Sequence, residues 1–144
     1  MTPASLTAVD TSVGVPLLVS SHRQHAAVAE WAKGRTLGLS GHALAETYSV
    51  LTRLPGDARV TPADALALID ENFPESFSLG ARAARVAHRE LARRGIAGGA
   101  TYDGLVALAA RERGAVLVTR DARARSTYEV LGVRTEVLVD NAAP

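Results

Sequence analysis

Cysteine is absent from this chain of 144 residues, which excludes both a disulfide framework and a thiolate zinc site. No stretch approaches the ~18–20 uninterrupted apolar residues of a membrane span. The apolar start of the chain is not typical of a secretory signal, because it lacks a basic segment and contains Asp10. We therefore expect a soluble, cytoplasmic protein without a membrane partner.

Lysine is almost absent as well, since all but one of the 16 basic residues are arginine. The formal net charge is only +1, but ten of the arginines fall between Arg82 and Arg125, where there are four acids. If the acids are gathered in one pocket, the basic surface around it suits a polyanionic substrate.

A composition of 47% hydrophobic and 22% charged residues is that of a globular protein, most simply one domain over 1–144 with its core at about 6–139.

Short apolar runs alternate with segments of helical periodicity along the chain. The predicted strands are a first strand ending at Asp10, then residues 36–39, a weak strand at 76–79, and 115–118 and 134–139. The predicted helices cover residues 13–20, 22–33, 40–54 with Ser40 as cap, 61–72, 81–94, 101–113 and 121–131, and the tail beyond 139 is expected to fray.

This alternation predicts an α/β fold with a mainly parallel central sheet of about four to five strands flanked by helices. In such sheets, ligands bind beyond the carboxyl ends of the strands. Asp10 and Asp121 each come just after a predicted strand. Either could be a turn former or an ordinary helix cap, but together they place two acids at the ligand-binding edge.

Two further acids are predicted on helices. Glu46 has Ala43, Val50 and Leu54 at positions −3, +4 and +8, so it interrupts an apolar face and is expected to be half-buried. A salt bridge or a solvated helix edge is the plainer reading. Asp103 lies in a first helical turn, where the helix dipole favours an acid, but it also begins the apolar stripe that continues at plus three, four and seven.

Asp10, Glu46, Asp103 and Asp121 together fit a site for a hard cation, Mg²⁺ or Mn²⁺, both of which prefer oxygen ligands. Such a metal activates water and stabilises the charge on a phosphodiester during hydrolysis. Hydroxyl groups beside the acids are assigned supporting roles: Thr11, Ser12 and Thr119.

Four segments that contain these acids, taken in order, resemble PIN-domain nucleases and more narrowly the VapC toxins of bacterial toxin–antitoxin pairs. They are AVDTSV around Asp10, HALAETYSVLTRLPG around Glu46, GGATYDGLVALAAR around Asp103 and AVLVTRDAR around Asp121. The resemblance extends from residue 6 to about 139. It implies a parallel sheet flanked by helices and an endoribonuclease that depends on Mg²⁺ or Mn²⁺. It also implies the four acids as catalytic and metal-binding residues, a homodimer, and inhibition by a VapB-type antitoxin.

Other features carry less weight. Arginines that are candidates for contacts with the RNA backbone, or simply for a solvated helix face, are Arg93, Arg94, Arg120, Arg123 and Arg125. The four histidines are assigned to the surface, although His42 lies one turn before Glu46. The glycine-rich loop at 95–100 is not a phosphate-binding P-loop, because no Gly-Lys-Ser/Thr follows it.

Three other classes of protein compete with the nuclease. A non-catalytic PIN-like module that binds RNA or protein is disfavoured by the intact acids. A phospho-acceptor receiver domain needs a late lysine, and none follows Lys33. A haloacid-dehalogenase-type phosphatase has a second aspartate two positions after the first, where this chain has Ser12.

Overall fold

The computed structural model describes residues 5–139. Its strands are Leu6–Val9 (β1), Thr36–Leu39 (β2), Val116–Thr119 (β3) and Thr135–Val137 (β4). Its helices are Thr11–Leu18 (α1), His25–Ala32 (α2), Ala43–Thr52 (α3), Pro62–Asn72 (α4), Ala81–Arg93 (α5), Ala100–Arg113 (α6) and Ala122–Val130 (α7), with a 3-10 turn at Gly56–Ala58. The predicted α/β class is confirmed, and the predicted fraying of the tail beyond 139 lies outside the described residues.

The four strands form one parallel sheet in the order β2-β1-β3-β4. Val9, the last residue of β1, pairs with Leu39 on one side and Val118 on the other. The carboxyl ends of β2, β1 and β3 therefore lie side by side, and the chain leaves each of them into a helix or a tight turn. This edge of the sheet is the one at which parallel α/β folds bind ligands.

Both faces of the central strands are covered by helices, so their side chains form the core. Ala8, Val9, Leu39, Leu117 and Val118 have no exposed surface. A two-pronged salt bridge joins α5 to α6, with both terminal nitrogens of Arg111 2.7 Å from the Glu90 carboxylate oxygens. Arg111 also donates to the Leu131 carbonyl at the end of α7 (3.0 Å), which fixes α6 against two neighbours.

The prediction of a weak strand at 76–79 is wrong. This segment makes one parallel bridge, between Phe77 and Ser40, and no strand of its own. Its backbone nevertheless covers the open edge of β2, because the Phe77 N–H donates to the Leu39 carbonyl (3.2 Å) and the Phe77 carbonyl accepts from Gly41 (2.8 Å). The run is too short for a strand but long enough to protect a sheet edge.

Ser40 is not the cap of the third helix. It is fully buried, and its hydroxyl donates to the Val106 carbonyl in α6 (2.8 Å), while α3 begins at Ala43 after His42. Thr61, by contrast, caps α4 as predicted, since its hydroxyl accepts from the Asp64 N–H at 3.2 Å. The predicted starts of α1 and α6 differ from the observed ones by one or two residues. Within residues 5–139, no helix is both long enough and apolar enough to cross a bilayer.

Candidate active site

Asp10 lies between β1 and α1 and caps that helix. Its side chain accepts from the Ser12 N–H (3.1 Å) and from the Ser12 hydroxyl (2.5 Å). Only 6% of its surface is exposed. Burial raises the pKa of the Asp10 carboxyl, and the hydrogen bonds from Ser12 and Tyr128 partly oppose that rise.

Ser12 joins the ends of β1 and β3. Its hydroxyl accepts from the Arg120 N–H (2.7 Å) and lies 3.2 Å from the Thr119 hydroxyl oxygen. The Thr119 hydroxyl in turn accepts from the Asp121 N–H at 3.0 Å. This chain of polar contacts holds the Asp10 and Asp121 turns together. It places two of the three predicted supporting hydroxyls, Ser12 and Thr119, beside the acids, and the third residue, Thr11, lines the same cleft.

Tyr128 on α7 is a residue of this site that the sequence did not reveal. It has no exposed surface, and its hydroxyl donates to the second carboxylate oxygen of Asp10 at 2.7 Å. Burial, followed by the Asp10 charge, raises the pKa of the Tyr128 phenol far above its ordinary value, so the group remains a donor. The two residues are 118 positions apart, and only the fold brings them together.

Asp103 lies in the first turn of α6 and is partly buried. Burial raises the pKa of its carboxyl first, and the charges of Asp10, Asp121 and Glu46 raise it further. The next residue, Gly104, packs against α5: a Cβ built at Gly104 would lie 2.6 Å from a methyl group of Leu91. The close approach of α5 and α6 thus fixes the position of the helical turn that carries Asp103.

Glu46 is exposed, so the expectation that it would be half-buried is wrong. The buried stripe of α3 consists of Ala43, Thr47 and Leu51, one position further along than the apolar pattern suggested. Glu46 therefore lies at the margin of this stripe, in the first turn of the helix instead of its middle. From that margin its side chain still reaches the cleft.

All four predicted acids line one cleft of about 290 Å³ at the carboxyl edge of the sheet. Asp121 caps α7, accepting from the Arg123 N–H at 2.9 Å, and its side chain is 37% exposed. Across residues 5–139, no three acids or histidines are close enough to form a ready-made metal site. The carboxylates thus share a cleft and repel one another without converging on a single point.

An arginine, Arg120, and a histidine, His22, also line the cleft. Pro16 lacks the N–H that would bond to the Ser12 carbonyl four residues earlier, and Arg120 donates to that carbonyl instead, at 3.3 Å. His22 lines the cleft and is half-buried, so its expected position on the surface is wrong.

The other arginine candidates lie outside the cleft lining. Arg123 contacts Asp121 at 3.4 Å, and Arg125 pairs with Glu129 at 2.7 Å on the outer side of α7. Arg93 and Arg94 are exposed at the end of α5.

The PIN domain family model matches residues 7–130. The chain is 56% identical over 130 residues to ribonuclease VapC27 of Mycobacterium tuberculosis H37Rv, covering 90% of this chain and 95% of that protein. It is 43% identical over 132 residues to ribonuclease VapC40 of the CDC 1551 strain, covering 91% and 98%.

Solved structures share the fold. VapBC2 from Rickettsia felis, solved bound to a DNA fragment from its promoter, has a TM-score of 0.66 at 19% identity and covers 93% of this chain and 99% of that chain. Mycobacterium tuberculosis VapC20, described as a Sarcin-Ricin loop cleaving toxin, has a TM-score of 0.64 at 21% identity and covers 85% and 94%. By the family model and by its identity to these ribonucleases, the chain belongs to the PIN-domain family, in its VapC branch.

Proposed function

We propose that this protein is a metal-dependent endoribonuclease toxin that hydrolyses phosphodiester bonds of RNA at the cleft lined by Asp10, Glu46, Asp103 and Asp121. The observation that carries the proposal is the position of these four acids in one cleft at the carboxyl edge of the sheet. The 56% identity to a protein named ribonuclease VapC27 supports the same activity.

The chemistry of the cleft fits a hard divalent cation. Mg²⁺ keeps several waters and is commonly held by one or two carboxylates together with substrate phosphates. Carboxylates that share a cleft without converging suit that mode of binding better than an all-protein cage. Glu46 is exposed and Asp103 is partly buried, and both line the cleft, so their carboxylates are accessible to a cation. Bound there, Mg²⁺ or Mn²⁺ supplies an activated water and stabilises charge on the phosphate.

The protein's own residues set up the cleft. Ser12 and Tyr128 hold Asp10 in one orientation, and their hydrogen bonds favour its charged form against the effect of burial. Three other acids act on the charge of Asp103, so a bound cation would stabilise that charge. We assign metal binding to these two, with Glu46 and Asp121 as further ligands or water-holding groups.

Positive charge near the acids would hold the RNA backbone. Arg120 lines the cleft and is anchored on the Ser12 carbonyl, so we assign it a contact with the phosphate beside the bond that is cut. Arg93 and Arg94 are exposed and suit contacts further along the RNA. Arg125 suits this role less, because Glu129 already pairs with it.

We further propose that a VapB-type antitoxin inhibits the protein, that the protein forms a homodimer, and that it acts in the cytoplasm, where RNA is found. The Rickettsia felis VapBC2 structure supports the partner, because it has the same fold. Co-expression with a cognate VapB-type antitoxin should relieve growth arrest caused by the protein, and sedimentation equilibrium should give twice the mass of 15.1 kDa.

The test is incubation of the purified protein with total RNA, in Mg²⁺ or Mn²⁺ and in EDTA. The proposal expects new RNA ends in metal and none in EDTA. Cleavage that persists in EDTA would refute the metal dependence. A folded protein that binds RNA but does not cut it would instead be the non-catalytic module.

A further inference from the structure

Two aromatic rings stack on each other at the starts of α3 and α6, the two helices whose first turns carry Glu46 and Asp103. The rings of His42 and Tyr102 have centroids 4.8 Å apart and planes 28° from parallel. His42 directly precedes α3 and Tyr102 lies in the first turn of α6. The turn before α3 lies close to α6 here, because a Cβ built at Gly41 would lie 3.1 Å from the Leu105 carbonyl oxygen and 2.9 Å from the Ala109 methyl group.

The two ring residues are linked through the backbone to two of the four acids. Tyr102 immediately precedes Asp103, and the His42 carbonyl accepts a hydrogen bond from the Glu46 N–H at 3.1 Å. The contact between the rings therefore links the first turn that holds Glu46 to the first turn that holds Asp103.

Tyr102 contributes little to the core. Its side chain is 53% exposed, and within the described chain its hydroxyl makes no hydrogen bond. Most of the other aromatic residues have a structural place: Phe73, Phe77 and Tyr128 are buried, and Trp31 packs beneath Arg35 at 4.7 Å. One side of the Tyr102 ring is covered by His42, which leaves an aromatic surface open to solvent beside the acids.

We propose that Tyr102 is a stacking platform for one unpaired nucleobase of single-stranded RNA, next to the bond that is cut; this inference rests on the proposed ribonuclease function. The acids in the cleft repel the phosphate backbone, so a contact that does not depend on charge adds to binding there. Stacking of a base on an aromatic ring provides one, and it strengthens binding roughly tenfold per base. His42 is a positioning residue, because it packs against the ring and holds it in place.

The experiment measures binding in EDTA, so that no RNA is cut. The probes are two fluorescein-labelled single-stranded RNAs of about ten nucleotides, one of mixed sequence and one whose riboses carry no bases. The proteins are wild type, Tyr102→Ala, Tyr102→Phe and the matched control Tyr48→Ala. Tyr48 is also an exposed tyrosine, at 40%, but within the described chain no aromatic ring stacks on it.

We expect Tyr102→Ala to bind the mixed-sequence RNA about tenfold more weakly than wild type. Its affinity for the abasic RNA should be unchanged, because that RNA has no base to stack. Tyr102→Phe, which keeps the ring, and Tyr48→Ala should both bind like wild type. A contact with phosphate, or a general loss of structure, would weaken both RNAs together.

Several results would overturn the inference. Tyr102→Ala could bind both RNAs equally more weakly, or Tyr102→Phe could bind as weakly as Tyr102→Ala. Wild type could show no preference for the RNA that carries bases. A changed sedimentation mass of Tyr102→Ala would mark the rings as a protein interface. Metal-dependent cleavage of total RNA by wild type is scored separately. Cleavage without Tyr102-dependent binding supports the nuclease and refutes the stacking platform. Tyr102-dependent binding without cleavage supports base stacking on Tyr102 and refutes the nuclease.

Discussion

A single buried carboxylate sets the requirements of the site. Asp10 is nearly inaccessible to water, and an isolated charge in such a place is strongly unfavourable. The fold meets this cost with donors from two sides, Ser12 at the start of α1 and Tyr128 on α7. Hydrogen bonds to a charged group are worth about 1.5–3 kcal/mol each, so they are the main reason that Asp10 is tolerated.

Tyr128→Phe should lower the free energy of unfolding by about 1.5–3 kcal/mol at neutral pH, because it removes a donor from a buried charge and keeps the ring. Urea denaturation followed by circular dichroism measures it. In an Asp10→Asn background the same substitution should cost less, since no charge remains to be satisfied. Tyr48→Phe is the control, as Tyr48 is exposed and should shift stability by no more than about 0.5 kcal/mol. Equal effects at the two tyrosines would contradict this role.

Asp103→Asn should make the metal-free protein more stable, raising its melting temperature by about 3–5 °C, or roughly 1 kcal/mol. The helix dipole favours an acid at this position by about 0.3–1 kcal/mol. The pKa of Asp103 is nevertheless raised, which shows that burial and the three neighbouring acids outweigh the dipole. Differential scanning calorimetry in EDTA measures the change, with the exposed Asp70→Asn as control.

The gain from Asp103→Asn should depend on pH. A carboxyl whose folded-state pKa is raised binds its proton more tightly when folded. Its penalty is therefore absent below the ordinary carboxyl pKa and develops as the pH rises through the raised value. The variant should gain little over wild type in acid and most at neutral pH. A gain that is constant with pH, or largest in acid, would contradict the electrostatic cause.

Single residues show what the sequence can and cannot reveal. Asp10 and Asp121 were predictable, because an apolar run followed by an acid marks a strand end and parallel strands end at one edge. Tyr128 was not, because its partner lies 118 positions away and no local pattern records that contact. Ser40 has the residue type and position of a helix cap, but its hydroxyl bonds to α6 instead.

At the scale of elements, the outer edge of β2 is covered by the segment that follows α4. β2 is an edge strand, and the segment after Phe73 lies against it. The Ser76 hydroxyl accepts a hydrogen bond from the Leu39 N–H at 2.9 Å, and the Phe77 backbone bonds to Leu39 and Gly41. A Cβ built at Gly38 would lie 2.3 Å from the Glu75 carbonyl oxygen, so this contact requires glycine.

Gly38→Ala should destabilise the protein by about 2–3 kcal/mol, because the backbone of this segment would have to move away from β2. Gly99→Ala is the matched control. Gly99 lies just before α6 with an ordinary helical backbone and nothing within 4 Å of a built Cβ, so alanine there should be neutral or stabilising by about 0.4–1 kcal/mol. Thermal unfolding of the two variants measures the difference. A Gly38→Ala protein as stable as wild type would show that this segment does not pack on β2 as described.

Elements were predictable where one local pattern dominates. Thr36–Leu39 and Val116–Thr119 are short apolar runs, and the Thr61-Pro62-Ala63-Asp64 start of α4 combines a cap, a proline and an acid. The register of α3 was not predictable to one residue. Its buried stripe includes Thr47, a polar residue whose hydroxyl donates to Thr11. Because Thr47 is polar, the pattern of apolar residues did not mark it as part of the buried stripe.

For the whole molecule, the fold concentrates negative charge in one cleft of a protein whose net charge is +1. Removing the four cleft acids from the total of 15 leaves 11 against 16 basic residues, so the rest of the surface is basic. Such a surface attracts RNA, and in the proposed function the acids hold the cation that makes the bond reactive. The site exists only when the ends of β1 and β3, the first turn of α3 and the first turn of α6 are all in place.

The most direct measurement is cleavage of total RNA in Mg²⁺ by four proteins: wild type, Asp10→Asn, Asp103→Asn and Asp70→Asn. Each variant loses one carboxylate charge with almost no change in shape, and Asp70 lies on α4 away from the cleft. Removing a group that acts with a metal at the reacting phosphate commonly costs at least about 100-fold in rate. We expect a loss of that size at Asp10 and Asp103, and the wild-type rate at Asp70. Wild-type rates in both cleft variants, with their folding verified, would show that the acidic cleft is not the centre of the nuclease.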